Sequence, residues 1–151
     1  MKIPLKRLPS GVGLPLPAYQ TEGSAGMDLC AAIDADHAIA PGDRALFPCG
    51  FSLAIPEGHE GQVRSRSGLA LKYGVAVLNS PGTIDSDYRG ELAVVLINHG
   101  ETSFVVSRGM RIAQLVISRV EQAQWEEVND LPETDRGEGG YGHTGHGAKS
   151  G

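Results

Sequence analysis

The chain is predicted to be an all-β domain of the sandwich or jelly-roll type, with one short helix and a glycine-rich tail. Two observations carry that prediction. Apolar stretches are short and bounded by turn residues, the pattern of many brief strands. The composition, with Gly 21 and Pro 9, supplies the turns that such strands need.

Taken in order, Gly50–Ile55 alternates and stops at the turn signal Pro56-Glu-Gly58. Gly61–Arg66 reads as a short strand. Ser67–Tyr73 reads as the helix, with Ser67 as its N-cap and Gly74 as its stop. Gly74–Leu78 and Leu92–Asn98 read as buried strands, the second ended by His99-Gly100. Ser103–Ser107 follows, ended by Arg108-Gly109, and Ile112–Val120 is the last long strand.

Composition narrows the function. At 151 residues the chain is one domain with room for a real core. A hydrophobic content of 40% and a charged content of 21% are those of a water-soluble globular protein. No apolar run approaches the roughly 18 residues of a membrane span, and the first residues lack a signal peptide's apolar core. A cytoplasmic location without membrane association is expected. A net charge of −5 argues against a broad nucleic-acid-binding face. The arginines nevertheless group locally, as Arg64 with Arg66 and Arg108 with Arg111, and Arg136 stands farther on. That grouping suits a small phosphorylated ligand. Cys30 and Cys49 form no C-x-x-C or zinc pattern and read as reduced, buried thiols.

The stretch from Asn79 to Glu91 carries more chemistry than a hairpin turn requires. It holds a Pro-Gly pair, Asp85, Asp87, Tyr88 and Arg89 between two strands. Upstream, a helix start with a Ser hydroxyl, free amides and nearby arginines is a good anion site. From Pro132 onward the chain has almost no apolar content and cannot bury enough surface to fold alone. That tail matches G-x-G-x-x-G at Gly137, Gly139 and Gly142. With no strand before it and no helix after it, the match carries no dinucleotide reading. No G-K-[ST] exists, so there is no Walker A loop. His143 and His146 lack a third metal ligand. As a flexible arm, the tail offers an Arg, free amides, an aromatic ring and a Thr hydroxyl for closing over a nucleotide.

Five segments stand in order: Gly23–Leu29, Arg64–Ala70, Leu78–Glu91, Arg108–Leu115 and Arg136–Gly145. Together they resemble the five motifs of the trimeric dUTP pyrophosphatases. The resemblance covers the chain from about Leu5 to the tail. It implies a distorted jelly roll (the β-clip, dUTPase-like fold) over residues 1–131, with residues 132–151 as a C-terminal arm. It also implies hydrolysis of dUTP to dUMP and pyrophosphate, by Mg²⁺-assisted in-line attack of water on the α-phosphate. That reaction keeps uracil out of DNA and supplies dUMP for thymidylate synthesis.

The resemblance assigns residues as follows. Asp85 matches the group that orients and deprotonates the water. A carboxylate is a weak base, so positioning supplies much of its effect. Tyr88 matches the ring under the deoxyribose. Asn79, with the backbone of Gly82, Thr83 and Ile84, matches the groups that read uracil, and Ala93 adds a backbone contact. Arg66, Ser67 and Gly68 match the phosphate-binding helix start, and Gln114 a polar contact to phosphates or water. Arg136 matches the γ-phosphate clamp, while Tyr141, His143 and Thr144 belong to the arm. Asp28 matches the acid that holds Mg²⁺ through water. Tyr141 stands where the family usually has Phe, and His143 where it usually has Ser. The active site is shared in a homotrimer: segments one, two and four come from one subunit, the central hairpin from a second and the arm from a third.

Two rivals remain. The related dCTP deaminases share the fold but carry a catalytic Glu on the strand after the hairpin, where this chain has Val95. A catalytically silent nucleotide sensor or protein-interaction module on the same scaffold is the other; the presence of Asp85, Arg66, Gln114 and Arg136 speaks against silence.

Overall fold

The computed structural model describes residues 1–140. Among these residues eleven strands and one α-helix follow one another. They are β1 (Leu5–Arg7), β2 (Met27–Cys30), β3 (His37–Ile39), β4 (Arg44–Pro48), β5 (Phe51–Leu53), β6 (His59–Arg64), α1 (Ser67–Tyr73), β7 (Val75–Val77), β8 (Gly82–Ile84), β9 (Ala93–Asn98), β10 (Phe104–Val106) and β11 (Arg111–Arg119). A short 3-10 turn, Pro9–Gly11, follows β1.

The strands form four small sheets, ordered β2-β11-β6-β8, β4-β9-β7, β1-β5 and β10-β3. Every pairing is antiparallel. One core unites them, because each sheet turns an apolar face inward: Leu29, Val63 and Leu115 from the first, Phe47, Val75 and Leu96 from the second, Phe51 and Leu53 from the third, Ile39 and Phe104 from the fourth. Each such side chain contributes about 1.5–3 kcal/mol by leaving water. The alternation along β9 is complete: Val94, Leu96 and Asn98 point in, while Ala93, Val95 and Ile97 are half-buried on the outer side. Asn98 is a buried polar group with both amide protons and its carbonyl oxygen engaged. Its amide donates to the carbonyls of Ile39 (2.9 Å) and Thr102 (2.8 Å), and its Oδ1 accepts from Gly100 (2.9 Å). Both cysteines are free and buried. Burial, foremost, pushes the Cys49 thiol up to about 12, and Cys30 shifts in the same direction for the same leading reason.

The expected strands from Gly50 onward are present, and so is the helix. Two details differ. Ser67 is not the N-cap: Arg66 holds the extended cap conformation (φ −87°, ψ 123°), and no side chain caps the helix. The side chain at that position instead turns back to an ion pair described below. Gly74 ends the helix as expected, in the left-handed conformation at φ 67°. The second difference lies in the connection between β7 and β9. These strands do pair, but residues 82–84 between them form β8, which leaves that sheet and pairs with β6 of the other. Gly82 is buried there. The connection is thus a strap between two sheets, held at its middle by a ladder. No helix among the described residues is long and apolar enough to cross a membrane.

Candidate functional site

Two clusters of the residues singled out by sequence take shape. The first lies on β2 and β11 and at the end of β6. Asp28 and Gln114 are direct partners across β2 and β11, and Gln114 is also opposite Arg64 of β6. They therefore lie in one row across three strands, on one face of the sheet. Asp28 is only 8% exposed. Its Oδ1 accepts from Nε of Arg66 (3.0 Å) and its Oδ2 from Nη1 of Arg111 (3.1 Å). Arg66 also donates to the Arg111 carbonyl (3.2 Å), closing a three-residue network.

A local irregularity in β11 makes this network. The register against β2 shifts between Arg111 and Ala113, and both Ile112 and Ala113 are buried. In unbroken alternation Arg111 would share Ala113's inward face. The extra residue turns Arg111 onto the face of Gln114 and Asp28. Gln114 lies over Gly26, where an added Cβ would sit 3.3 Å from the glutamine Cβ. Beyond Arg66, Ser67 and Gly68 are exposed at the helix start. Their amides, in the first turn, have no intrahelical acceptor.

The second cluster is the strap. A shallow cleft of about 220 Å³ is lined by Thr83, Ile84, Asp85, Tyr88, Glu91 and Ala93. Asp85 is exposed and follows directly on β8. The loop turns back beyond it, with the Tyr88 amide donating to the Asp85 carbonyl (3.2 Å). Arg89 bonds the carbonyls of Ser86 (2.6 Å) and Tyr88 (2.9 Å). The Tyr88 hydroxyl donates to the Glu91 carbonyl (3.1 Å). Asn79 is exposed at the strap's other end, and its amide nitrogen would lie 3.0 Å from a Cβ on Gly82. At the end of β6, Ser65 Oγ accepts from the Val77 amide (2.9 Å), tying the approach to the helix to β7.

The two clusters share a sheet but stand apart on it. Ile84 is opposite Gly61, so Asp85 falls level with the start of β6. Arg66 lies past the far end of that strand. At about 3.3 Å per residue, the register puts their backbones roughly 15–20 Å apart. The cleft that includes Asp85 and Tyr88 includes neither Asp28, Arg66 nor Gln114. Arg136 is exposed and bonds the Gly139 carbonyl (2.7 Å). Tyr141, His143 and Thr144 lie outside the described residues.

Sequence reasoning missed two participants. Arg111 stood in the Arg108/Arg111 grouping but was given no role; only the displaced register brings it to Asp28. Glu91 was read as the end of a segment, although it lines the cleft. Its carboxylate reaches back to Gly50 (2.9 Å) and Ser10 (3.3 Å), far apart from it in sequence.

As to a metal, the donor set can be tested directly. Among the described residues no group of three His, Cys, Asp or Glu side chains is gathered as a metal cage. Each Asp28 oxygen already accepts one arginine N–H, which leaves it a further lone pair for a water proton. That chemistry fits Mg²⁺ held mainly by phosphates and touched through its own water, and does not fit direct coordination inside a protein cage.

An antiparallel β fold that sets a carboxylate–tyrosine strap at one end of a sheet and an Asp–Arg–Arg cluster at the other has the charges and donors that a phosphorylated ligand needs. The family profile described as dUTPase matches residues 13–145, and the chain belongs to the dUTPase family. It is 56% identical over 145 residues to the deoxyuridine 5'-triphosphate nucleotidohydrolase of Anaplasma marginale (strain St. Maries), covering 96% of this chain and 99% of that protein. The enzyme of the same name from Rhizobium etli (strain ATCC 51251 / DSM 11541 / JCM 21823 / NBRC 15573 / CFN 42) is 61% identical over 143 residues, covering 93% and 92%. Among solved structures, the dUTPase of Staphylococcus bacteriophage 80alpha with dUPNHPP superposes with a TM-score of 0.86 at 25% identity, covering 96% of this chain and 99% of that one. The all-β, jelly-roll-like fold expected from the sequence is therefore the fold observed.

Proposed function

We propose that this protein hydrolyses dUTP to dUMP and pyrophosphate. The observation that carries the reading is near-full-length identity of 56–61% to enzymes of that name, together with the strap's grouping of Thr83, Ile84, Asp85, Tyr88 and Ala93 around one cleft. The uracil edge is read by Asn79 and the backbone of Gly82–Ile84. A polar pattern of this kind, covered once the base is bound, rejects cytosine strongly, because the wrong base leaves groups unpaired. The Tyr88 ring lies under the sugar. Asp85 accepts a proton from water as the water oxygen bonds the α-phosphorus. The bond from that phosphorus to the bridging oxygen breaks, and pyrophosphate leaves. Arg66, the free amides at Ser67 and Gly68, Gln114 and Arg136 hold the phosphates and stabilise the charge that develops on them. Asp28 would hold Mg²⁺ through water, and the ion would supply further neutralisation of that charge.

The reading includes a homotrimer with shared sites. The register gap of roughly 15–20 Å between the Asp85 and Arg66 backbones favours different chains as their donors to one triphosphate. The outer face of β4-β9-β7 also carries apolar pairs, Leu46 opposite Val95 and Ala76 opposite Ile97, with Arg44 at its end. After β11 an extended segment carries Trp125 at 95% exposure and Leu131 at 82%. Apolar surface of this kind marks a protein contact. Residues 1–131 form the domain, and 132–151 form the arm that closes on a neighbour's site. Val95, where a deaminase would need its Glu, is opposite Leu46 on that outer face, which disfavours deamination.

The test is incubation with each deoxynucleoside triphosphate and Mg²⁺, followed by assay of pyrophosphate and ammonia. Pyrophosphate is expected from dUTP alone. Ammonia from dCTP would replace this reading with deamination, and no turnover would replace it with nucleotide sensing.

A further inference from the structure

We propose that Glu91 is a positioning residue for Tyr88, and that it tunes the choice of deoxyribose over ribose from a network anchored in the N-terminal loop. The inference rests on the dUTPase reading above and adds a residue that reading leaves without a role. Glu91 is half-buried beside Tyr88 in the strap cleft. One carboxylate oxygen, Oε1, accepts both the Gly50 amide (2.9 Å) and the Ser10 hydroxyl (3.3 Å). The carbonyl of the same residue accepts the Tyr88 hydroxyl (3.1 Å). The side chain thus fixes the backbone that fixes the ring.

The anchor is stiff. Gly50 is left-handed (φ 78°), and a Cβ on it would come within 2.3 Å of the Gly11 Cα. The Gly50 carbonyl accepts the Leu8 amide (2.9 Å), so both backbone polar groups of this residue are engaged. Arg108 clamps the same loop through the carbonyls of Ser10 and Val12 (2.9 Å each). The ring is confined from the other side by Gly90, where a Cβ would lie 2.3 Å from the Tyr88 hydroxyl oxygen. The ring of Tyr88 is 45% exposed and has little packing of its own to hold it. Its orientation therefore depends on the hydroxyl's bond. On the dUTPase reading the ring under the deoxyribose would clash with a ribose 2′-hydroxyl, and a ring that tilts loses that clash.

The test compares kcat/KM for dUTP and UTP in the full-length protein. Glu91→Ala is expected to lower the dUTP-to-UTP ratio about tenfold, by raising UTP turnover relative to dUTP. Glu91→Gln is expected to stay near the parent ratio, because its amide oxygen can accept both bonds that Oε1 accepts now. Tyr88→Phe keeps the ring and removes the donor, so the ratio is expected to fall in the same way. Adding Glu91→Ala in that background should lower it no further. A folded Glu91→Ala protein with an unchanged ratio, including one slowed equally on both substrates, overturns the proposal. If Glu91→Ala does not fold, an unchanged ratio in Tyr88→Phe overturns it instead. A parent protein without preference for dUTP would defeat the dUTPase reading itself, a result distinct from either.

Discussion

Asp85→Asn is expected to lower kcat for dUTP by about 10²–10⁴-fold while nucleotide binding changes little, the scale of losing one positioned general base. Asparagine is nearly isosteric and keeps an acceptor, so it can still orient water but cannot take its proton. The exchange is mild for the fold, since Asp85 is exposed and β8 before it is held by its ladder to β6. Equilibrium binding of a non-hydrolysable dUTP analogue, set beside single-turnover kinetics, separates the two effects. Near-normal turnover would remove Asp85 as the base and move the search to Asp87.

Ending the chain at Asp135 is expected to leave a folded trimer whose turnover falls by about 10²–10³-fold, the scale of losing a charged clamp on the phosphates. The core needs nothing beyond that point, because its buried cluster ends with Leu115 and the last strand with Arg119. Light scattering should report an unchanged trimer and thermal melting an unchanged transition. Unchanged rates would refute arm closure. A monomeric product would show that the arm builds the assembly instead of completing the site.

Much of this was legible in the sequence because it is local. The apolar run of β9 and the stop at Gly74 depend on neighbours in the chain. So does the density of polar groups from Asn79 to Glu91. Other features were not legible because their causes are distant. Residues 82–84 become a strand only by pairing with β6, which lies in another sheet. The short strands β1 to β4 lack the length or alternation that makes a strand visible, and three-residue β1 exists because Leu5–Arg7 meets Phe51–Leu53. Ser67 looked like a cap by residue type, yet the chain enters the helix through Arg66 because Asp28 holds its guanidinium. The role of Arg111 depends on one extra residue in β11, and that of Glu91 on a contact with Ser10 across the whole N-terminal half.

The most direct measurement is activity in mixed trimers of two inactive variants, Asp85→Asn and Arg66→Ala. Each should be nearly dead alone. If the strap and the Arg66 cluster of one working site come from different subunits, co-expression at equal levels restores about a quarter of the sites, since each needs one intact strap donor and one intact cluster donor. A mixture as inactive as its parents, from trimers shown to contain both chains, would mean that one chain supplies both halves of its own site.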